Sequence, residues 1–81
     1  SNAILIDAIL IDADLSNMRL WYSNLTGADL TGANLSGAKL IDADLSGADL
    51  RGAKLSGVEA NSDTTCPNGK KWGTAGNNCG F

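Results

Sequence analysis

Leucine stands at every fifth position from Leu5 through Leu10, Leu15, Leu20, Leu25, Leu30, Leu35, Leu40, Leu45 and Leu50 to Leu55, and Ala60 closes the series. A small residue precedes most of them by two places, as at Ala8, Ala13, Ala28, Ala33, Ala38, Ala43, Ala48 and Ala53, with Met18, Ser23 and Val58 as the exceptions. The residue between is polar from Asp14 onward. A period of five belongs neither to a helix, with 3.6 residues per turn, nor to a flat strand, with two.

Each five divides into a side and a corner. In an extended stretch the leucine and the small residue share one face, and the polar residue between them points the other way. The remaining pair, such as Thr26-Gly27, Thr31-Gly32, Ser36-Gly37 or Ser46-Gly47, must turn the chain. Gly, Asn and Asp tolerate the positive φ that tight corners need. Sides this short are not independent strands, so the pattern predicts a chain wound into a tube with the leucines stacked inside. With four sides per turn, one circuit takes about 20 residues and rises about 4.8 Å. Residues 4–60 then make about three circuits of an all-β solenoid, stable only when its repeats are stacked.

Some positions depart from the pattern. Tyr22 is bulky and ill-suited to a positive φ, which predicts a different turn type at its corner, close to Met18 and Ser23. A separation of 20 stacks Trp21 beside Ile41 on the outside, an apolar strip that reads either as packing between circuits or as a partner contact. Ile4, Ile6, Ile9 and Ile11 stand where later circuits carry polar residues, so the first circuit is apolar inside and outside alike. A patch of that size points to a homodimer through this circuit or to packing against upstream sequence; isolated exposed isoleucines without a role are the third reading.

From Asn61 onward the fives stop, and the tail is rich in Gly, Asn and Thr, with turn signals at Pro67-Asn68-Gly69 and Gly76-Asn77-Asn78. An open solenoid end exposes core and unpaired backbone. The tail therefore predicts a looped cap over 61–81, tied by a Cys66–Cys79 disulfide and laying Trp72 or Phe81 over the terminal core. Free or redox-active thiols are the alternative, and a metal site is the weakest reading, because the chain has no histidine and no C-x-x-C.

The segments "ADLTG", "ANLSG", "AKLID" and "ADLSG" resemble the pentapeptide repeat family, with its small residue, Asp or Asn, Leu and two variable positions. The resemblance covers about three quarters of the chain. It implies a right-handed quadrilateral β-helix. The tail is similar to the short cysteine-bracketed endings of some bacterial, including cyanobacterial, members. If oxidised, the cysteines imply an extracytoplasmic setting: periplasm, thylakoid lumen or the exterior.

Charge and composition narrow the function. Nine acidic and six basic residues give a net charge of -3, which disfavours direct contact with nucleic acid or an anionic membrane. The absence of histidine removes the commonest general base and metal ligand. No run of 18 apolar residues is present to span a bilayer. Ser1-Asn2-Ala3 resembles the remnant of a cleaved purification tag, so the natural chain is expected to begin earlier. Asp29 and Asp49, one circuit apart, have a spacing nominally suited to a retaining glycosidase or a casual calcium contact, but on a convex wall with no cleft implied. The sequons at Asn24-Leu25-Thr26 and Asn34-Leu35-Ser36 read as by-products of the repeat. No enzyme and no cofactor are implied. The expected role is a structural or protein-interaction module with an unknown protein partner. The alternative, implied by the family, is DNA mimicry that inhibits a topoisomerase such as gyrase. Arg19, Lys39, Arg51 and Lys54 interrupt the acidic ladders that mimicry would need.

Overall fold

The computed structural model describes residues 3–73. Each outward residue pairs in parallel with the residue 20 positions later: Ile4 with Asn24 and Asn24 with Asp44, then Ile9 with Asp29, Asp14 with Asn34 and Arg19 with Lys39, each continuing upward to Asp49, Lys54 and Glu59. Four such ladders make a four-sided column, whose walls are named here by their first members, Ile4, Ile9, Asp14 and Arg19.

From Asp7 to Gly57 the corners are alike. The small residue donates its N–H to the preceding leucine carbonyl, as Ala28 does to Leu25 at 3.0 Å and Ala33 to Leu30 at 2.9 Å. Only the third residue of each turn has a positive φ, about 70° at Gly27 and Gly32, which is the type II arrangement. Tyr22 corrects the expectation of a different turn. It adopts φ 59°, as do Asp12 and Asp42, and donates its N–H to the Ile41 carbonyl at 3.0 Å as glycines do at other corners. The backbone pairing between circuits outweighs the steric cost to its side chain, about 1–2 kcal/mol for an L-residue in this region.

The unit 24–28 accounts for every backbone donor. Asn24 donates down to Ala3 at 2.9 Å, Leu25 and Gly27 donate up to Asp44 and Ser46 at 2.7 and 2.8 Å, and Ala28 closes the turn. Only Thr26, first in the corner, has no carbonyl to meet, and the Asn24 side-chain oxygen accepts its N–H at 3.1 Å. The same bond recurs from Ser16, Thr31, Ser36, Ser46 and Arg51 to Asp14, Asp29, Asn34, Asp44 and Asp49. This is why Asp or Asn precedes the leucine: it replaces a backbone acceptor at the corner.

Leucine and alanine fill the interior. Leu25, Leu30, Leu35, Leu40 and Leu45 are fully buried with Ala28, Ala33, Ala38 and Ala43, and Leu15 and Leu20 are buried below them. Leu5, Leu10, Leu50 and Leu55 are half-buried at the two ends. Ser23 takes an alanine slot, with its hydroxyl buried and unpartnered among the described residues.

The wall continues past Ala60, where the leucine spacing ends. Asp44 pairs with Thr65, a separation of 21 instead of 20. Thr64 and Cys66 consequently occupy the next alanine and leucine slots, at 0% and 1% exposure. The extra residue displaces a corner carbonyl, and the Asn61 side chain substitutes for it, accepting the Asp42 N–H at 3.0 Å and donating to the Asp42 carboxylate at 3.0 Å. The Thr64 hydroxyl donates to the Leu40 carbonyl at 2.7 Å. Instead of starting a further circuit, the chain reverses at Pro67-Asn68-Gly69. Gly69 donates to Cys66, Cys66 to Lys70 and Trp72 to Thr64, each at 2.8 Å, and Thr65 pairs antiparallel with Lys71. A type I turn followed by glycine at φ 84° is a common hairpin solution.

Two outcomes are expected. Tyr22→Gly, which relieves the corner, should raise stability by up to about 1 kcal/mol, and Gly52→Ala should lower it by about 1 kcal/mol. Denaturant titration measures both, and loss of stability in Tyr22→Gly would show that the ring, not the turn, governs that corner. The Asp14, Asp44 and Asp49 carboxyls lie below their ordinary range, chiefly through side-chain hydrogen bonds from Ser16, Ser46 and Arg51. A carboxyl depressed in the folded state stabilises above its unfolded pKa and loses that contribution as pH falls through the folded pKa. The melting temperature should therefore hold from neutrality to about pH 5 and fall below about pH 4. Replacing the three with Asn, which keeps the accepting oxygen, should flatten that decline; an unchanged acid limb would place its origin elsewhere.

Candidate functional site

The Asp29–Asp49 rung shows how the outer walls spend their polar groups. Asp29 accepts the Thr31 N–H at 3.1 Å and hydroxyl at 2.6 Å. Asp49 is clasped by Arg51, whose Nε and Nη2 reach its two oxygens at 2.9 and 2.6 Å. The Arg51 guanidinium, followed by the Arg51 N–H, holds the Asp49 carboxyl below its usual range. Both carboxylates are thus occupied by their own corners on an outer wall, and no cavity occurs among the described residues. No group of three or more Cys, Asp or Glu side chains gathers there to hold a metal ion.

Farther around the column, Lys39 and Glu59 form an ion pair one circuit apart. Near the hairpin, Lys71 donates to the Thr65 hydroxyl at 2.8 Å and to the Asp63 carbonyl at 3.4 Å. Each acid ladder is therefore paired with, or interrupted by, a cation.

The first circuit is different. Ile4 and Ile9 point outward from adjacent walls at 77% and 80% exposure, and Ile6 and Ile11 stand at the following corners at 50% each. Above them the outward residues are Asn24, Thr26, Asp29 and Thr31, so the apolar band is confined to one circuit. The cause is local as well as lateral: Ile6, Ile11, Trp21 and Ile41 follow Ile4, Ile9, Arg19 and Lys39, none of which offers a side-chain acceptor to the corner N–H. Apolar corners occur where the Asp or Asn is missing. Trp21 and Ile41 are half-buried at successive levels of one corner, and the Arg19 guanidinium lies 5.8 Å from the Trp21 ring centre. Tyr22 and Met18 are exposed nearby, at 62% and 42%.

At the other end, Cys66 is buried at 1% and is not a free cysteine. Its expected partner Cys79 lies outside the described residues, as does Phe81; Trp72 is half-buried with its indole N–H unpartnered among the described residues. Sequence reasoning missed the roles of Asn61, Thr64 and Thr65. Their signal was Thr64-Thr65-Cys66, a small-polar-apolar triplet one residue out of phase with the leucines.

The pentapeptide repeats profile matches residues 8–47 and 22–57, with eight copies of the repeat. A pentapeptide repeat protein from the Arabidopsis thaliana thylakoid lumen is similar to 98% of this chain at 30% identity and a TM-score of 0.58, over 56% of its own chain. A pentapeptide repeat protein from the cyanobacterium Cyanothece 51142 shares 40% identity over 79% of this chain and 47% of its own, at a TM-score of 0.45. HetL, a protein of Nostoc sp. strain PCC 7120 involved in heterocyst differentiation regulation, shares 29% identity over 86% of this chain and 52% of its own, at a TM-score of 0.29. This chain spans about half the length of these solved structures. Among curated proteins none matches. With its five-residue register, four walls and matching profile, the chain belongs to the pentapeptide repeat family and folds as a right-handed quadrilateral β-helix.

Proposed function

We propose that this chain is a non-enzymatic protein-interaction module whose contact surface is the first circuit. The observation that carries this reading is the confinement, among the described residues, of exposed large apolar side chains to residues 4–22. Elsewhere the outward acids are engaged by their own corners or by cations. A convex column without a cavity among its described residues supports recognition along a wall or an edge rather than turnover of a small substrate. The interrupted acid ladders, with Lys54 above Asn34 and Lys39 above Arg19, weigh against mimicry of a uniformly anionic rod.

The proposed setting is extracytoplasmic, with Cys66 paired to Cys79 and the cap over residues 61–81 tied to the column. Its support is a buried Cys66 that is not free and the thylakoid-lumen origin of the Arabidopsis relative. A structural disulfide persists in such compartments. No helix among the described residues is long and apolar enough to cross a membrane.

Thiol titration of unreduced, denatured protein should find no free thiol, and peptide mapping should return one Cys66–Cys79 link. Two free thiols would remove the compartment argument. Ile4→Thr/Ile9→Thr should change the unfolding free energy of the monomer by no more than about 0.5 kcal/mol, because these side chains support no interior. The measurement belongs at dilutions where light scattering reads the monomer mass. A loss of several kcal/mol would make the isoleucines part of the fold and end the reading of this circuit as a contact surface.

A further inference from the structure

We propose that Asn68-Gly69, at the tip of the terminal hairpin, is a self-modification site: when the hairpin opens, the Gly69 peptide nitrogen closes on the Asn68 side-chain amide, and the isoaspartate that results keeps the hairpin from re-forming. The site lies at the opposite end of the column from the first circuit and does not depend on the reading of that circuit as a contact surface. The sequence supplies the reactive pair. Of the eight asparagines only Asn68 precedes a glycine. Asn17, Asn24, Asn34 and Asn61 precede Met18, Leu25, Leu35 and Ser62, whose side chains stand beside the nitrogen that would attack. At Gly69 no described atom lies within 4 Å of the position a Cβ would take, and Asn68, Gly69 and Lys70 are all exposed.

The closed hairpin holds this chemistry off in three ways. The Gly69 N–H donates to the Cys66 carbonyl at 2.8 Å, so the nitrogen that must lose its proton is engaged. The Asn68 Oδ1 accepts the Lys70 N–H at 3.0 Å, which ties the side chain to a peptide beyond the one it would have to meet. The third obstacle is torsional. A type I turn holds ψ of its third residue, here Asn68, near 0°, whereas ring closure brings the side chain and the next nitrogen into line about the Cα–C bond, a rotation of about 120°. That rotation carries the peptide bearing the Gly69 N–H out of the turn and breaks its bond to Cys66. The reaction therefore belongs to the opened hairpin, and its rate follows the population of that state.

In the opened segment the steps balance with water alone. The Gly69 nitrogen gives its proton to solvent and bonds to Asn68 Cγ; the Cγ–Nδ2 bond breaks, and the amide nitrogen takes up a proton and leaves as ammonia. Water then opens the five-membered imide. Addition at its main-chain carbonyl, the favoured course, leaves isoaspartate, in which the chain runs through Cβ and Cγ. The turn is then one backbone atom longer, and the carbonyl that received the Lys70 N–H has become part of the main chain. A hairpin whose register is set by its loop length cannot close around it. Thr65 remains bonded to the wall below, donating to Ala43 and accepting from Leu45, each at 2.9 Å. The column stays in place while the segment beyond Cys66 is released, and no step returns the lost ammonia.

The test incubates the full chain at mildly alkaline pH, native and in guanidinium chloride, and reads position 68 by peptide mass spectrometry with fragmentation that separates aspartate from isoaspartate. In denaturant Asn68 should convert ahead of every other asparagine, and in the native protein it should convert roughly tenfold or more slowly. Pro67→Gly, which loosens the turn, should speed the native reaction about threefold or more and leave the denatured rate within about twofold. Native protein carrying isoaspartate, isolated by ion exchange and shown to be folded by circular dichroism, should be cut by trypsin after Lys70 or Lys71 roughly tenfold faster than unmodified protein. Asn68→Asp, which adds the charge without lengthening the chain, should stay within about twofold of the wild type. Conversion at Asn68 no faster than at the other asparagines in denaturant overturns the site. Equal native and denatured rates, or a native rate indifferent to Pro67→Gly, overturn its control by the hairpin. Unchanged trypsin resistance of the isoaspartyl protein, or equal loss of resistance in Asn68→Asp, overturns the lengthened turn as the release.

Discussion

The 20-residue register is the constraint on which the rest of the molecule depends. It lets four of every five N–H groups find a carbonyl without any strand longer than one paired residue. The fifth is left at the corner, and an Asp or Asn oxygen completes the count on six of the sides. Once this accounting is fixed, the leucine spacing, the alanines and the positive φ at the corners from Asp7 to Gly57 follow. It even holds Tyr22 in a conformation its side chain disfavours.

This economy also sets what the surface can do. Most walls spend their polar groups on the column itself, so a conspicuous acidic pair such as Asp29 and Asp49 is occupied by Thr31 and Arg51. The apolar exceptions at Ile6, Ile11, Trp21 and Ile41 fall after residues that offer no acceptor. Such corners are released from one structural duty, and in the first circuit Ile6 and Ile11 stand exposed to solvent.

The solenoid was legible because its signal is repeated: eleven leucines in one phase leave little room for another register. The Ile4, Ile6, Ile9 and Ile11 band was legible for the same reason, as a local failure of alternation. Tyr22 was misjudged because residue preference describes an isolated turn, whereas here the circuit above dictates φ through the Ile41 carbonyl. The fourth rung at Thr65 was hidden because one added residue breaks the count, and Asn61 repairs the hydrogen bonding with a side chain that no periodicity marks.

The hairpin at residues 64–72 gives the column a polarity of growth. On the Ile4 wall the chain turns back on itself at the far end, and Lys71 lies antiparallel to Thr65 in place of another parallel rung. Head-to-tail stacking, the arrangement that would propagate into a fibre, finds that rung already reversed. On that wall the backbone hydrogen bonding that lengthens the repeat is turned back on its own chain, so the hairpin acts as a stop to the ladder that begins at Ile4.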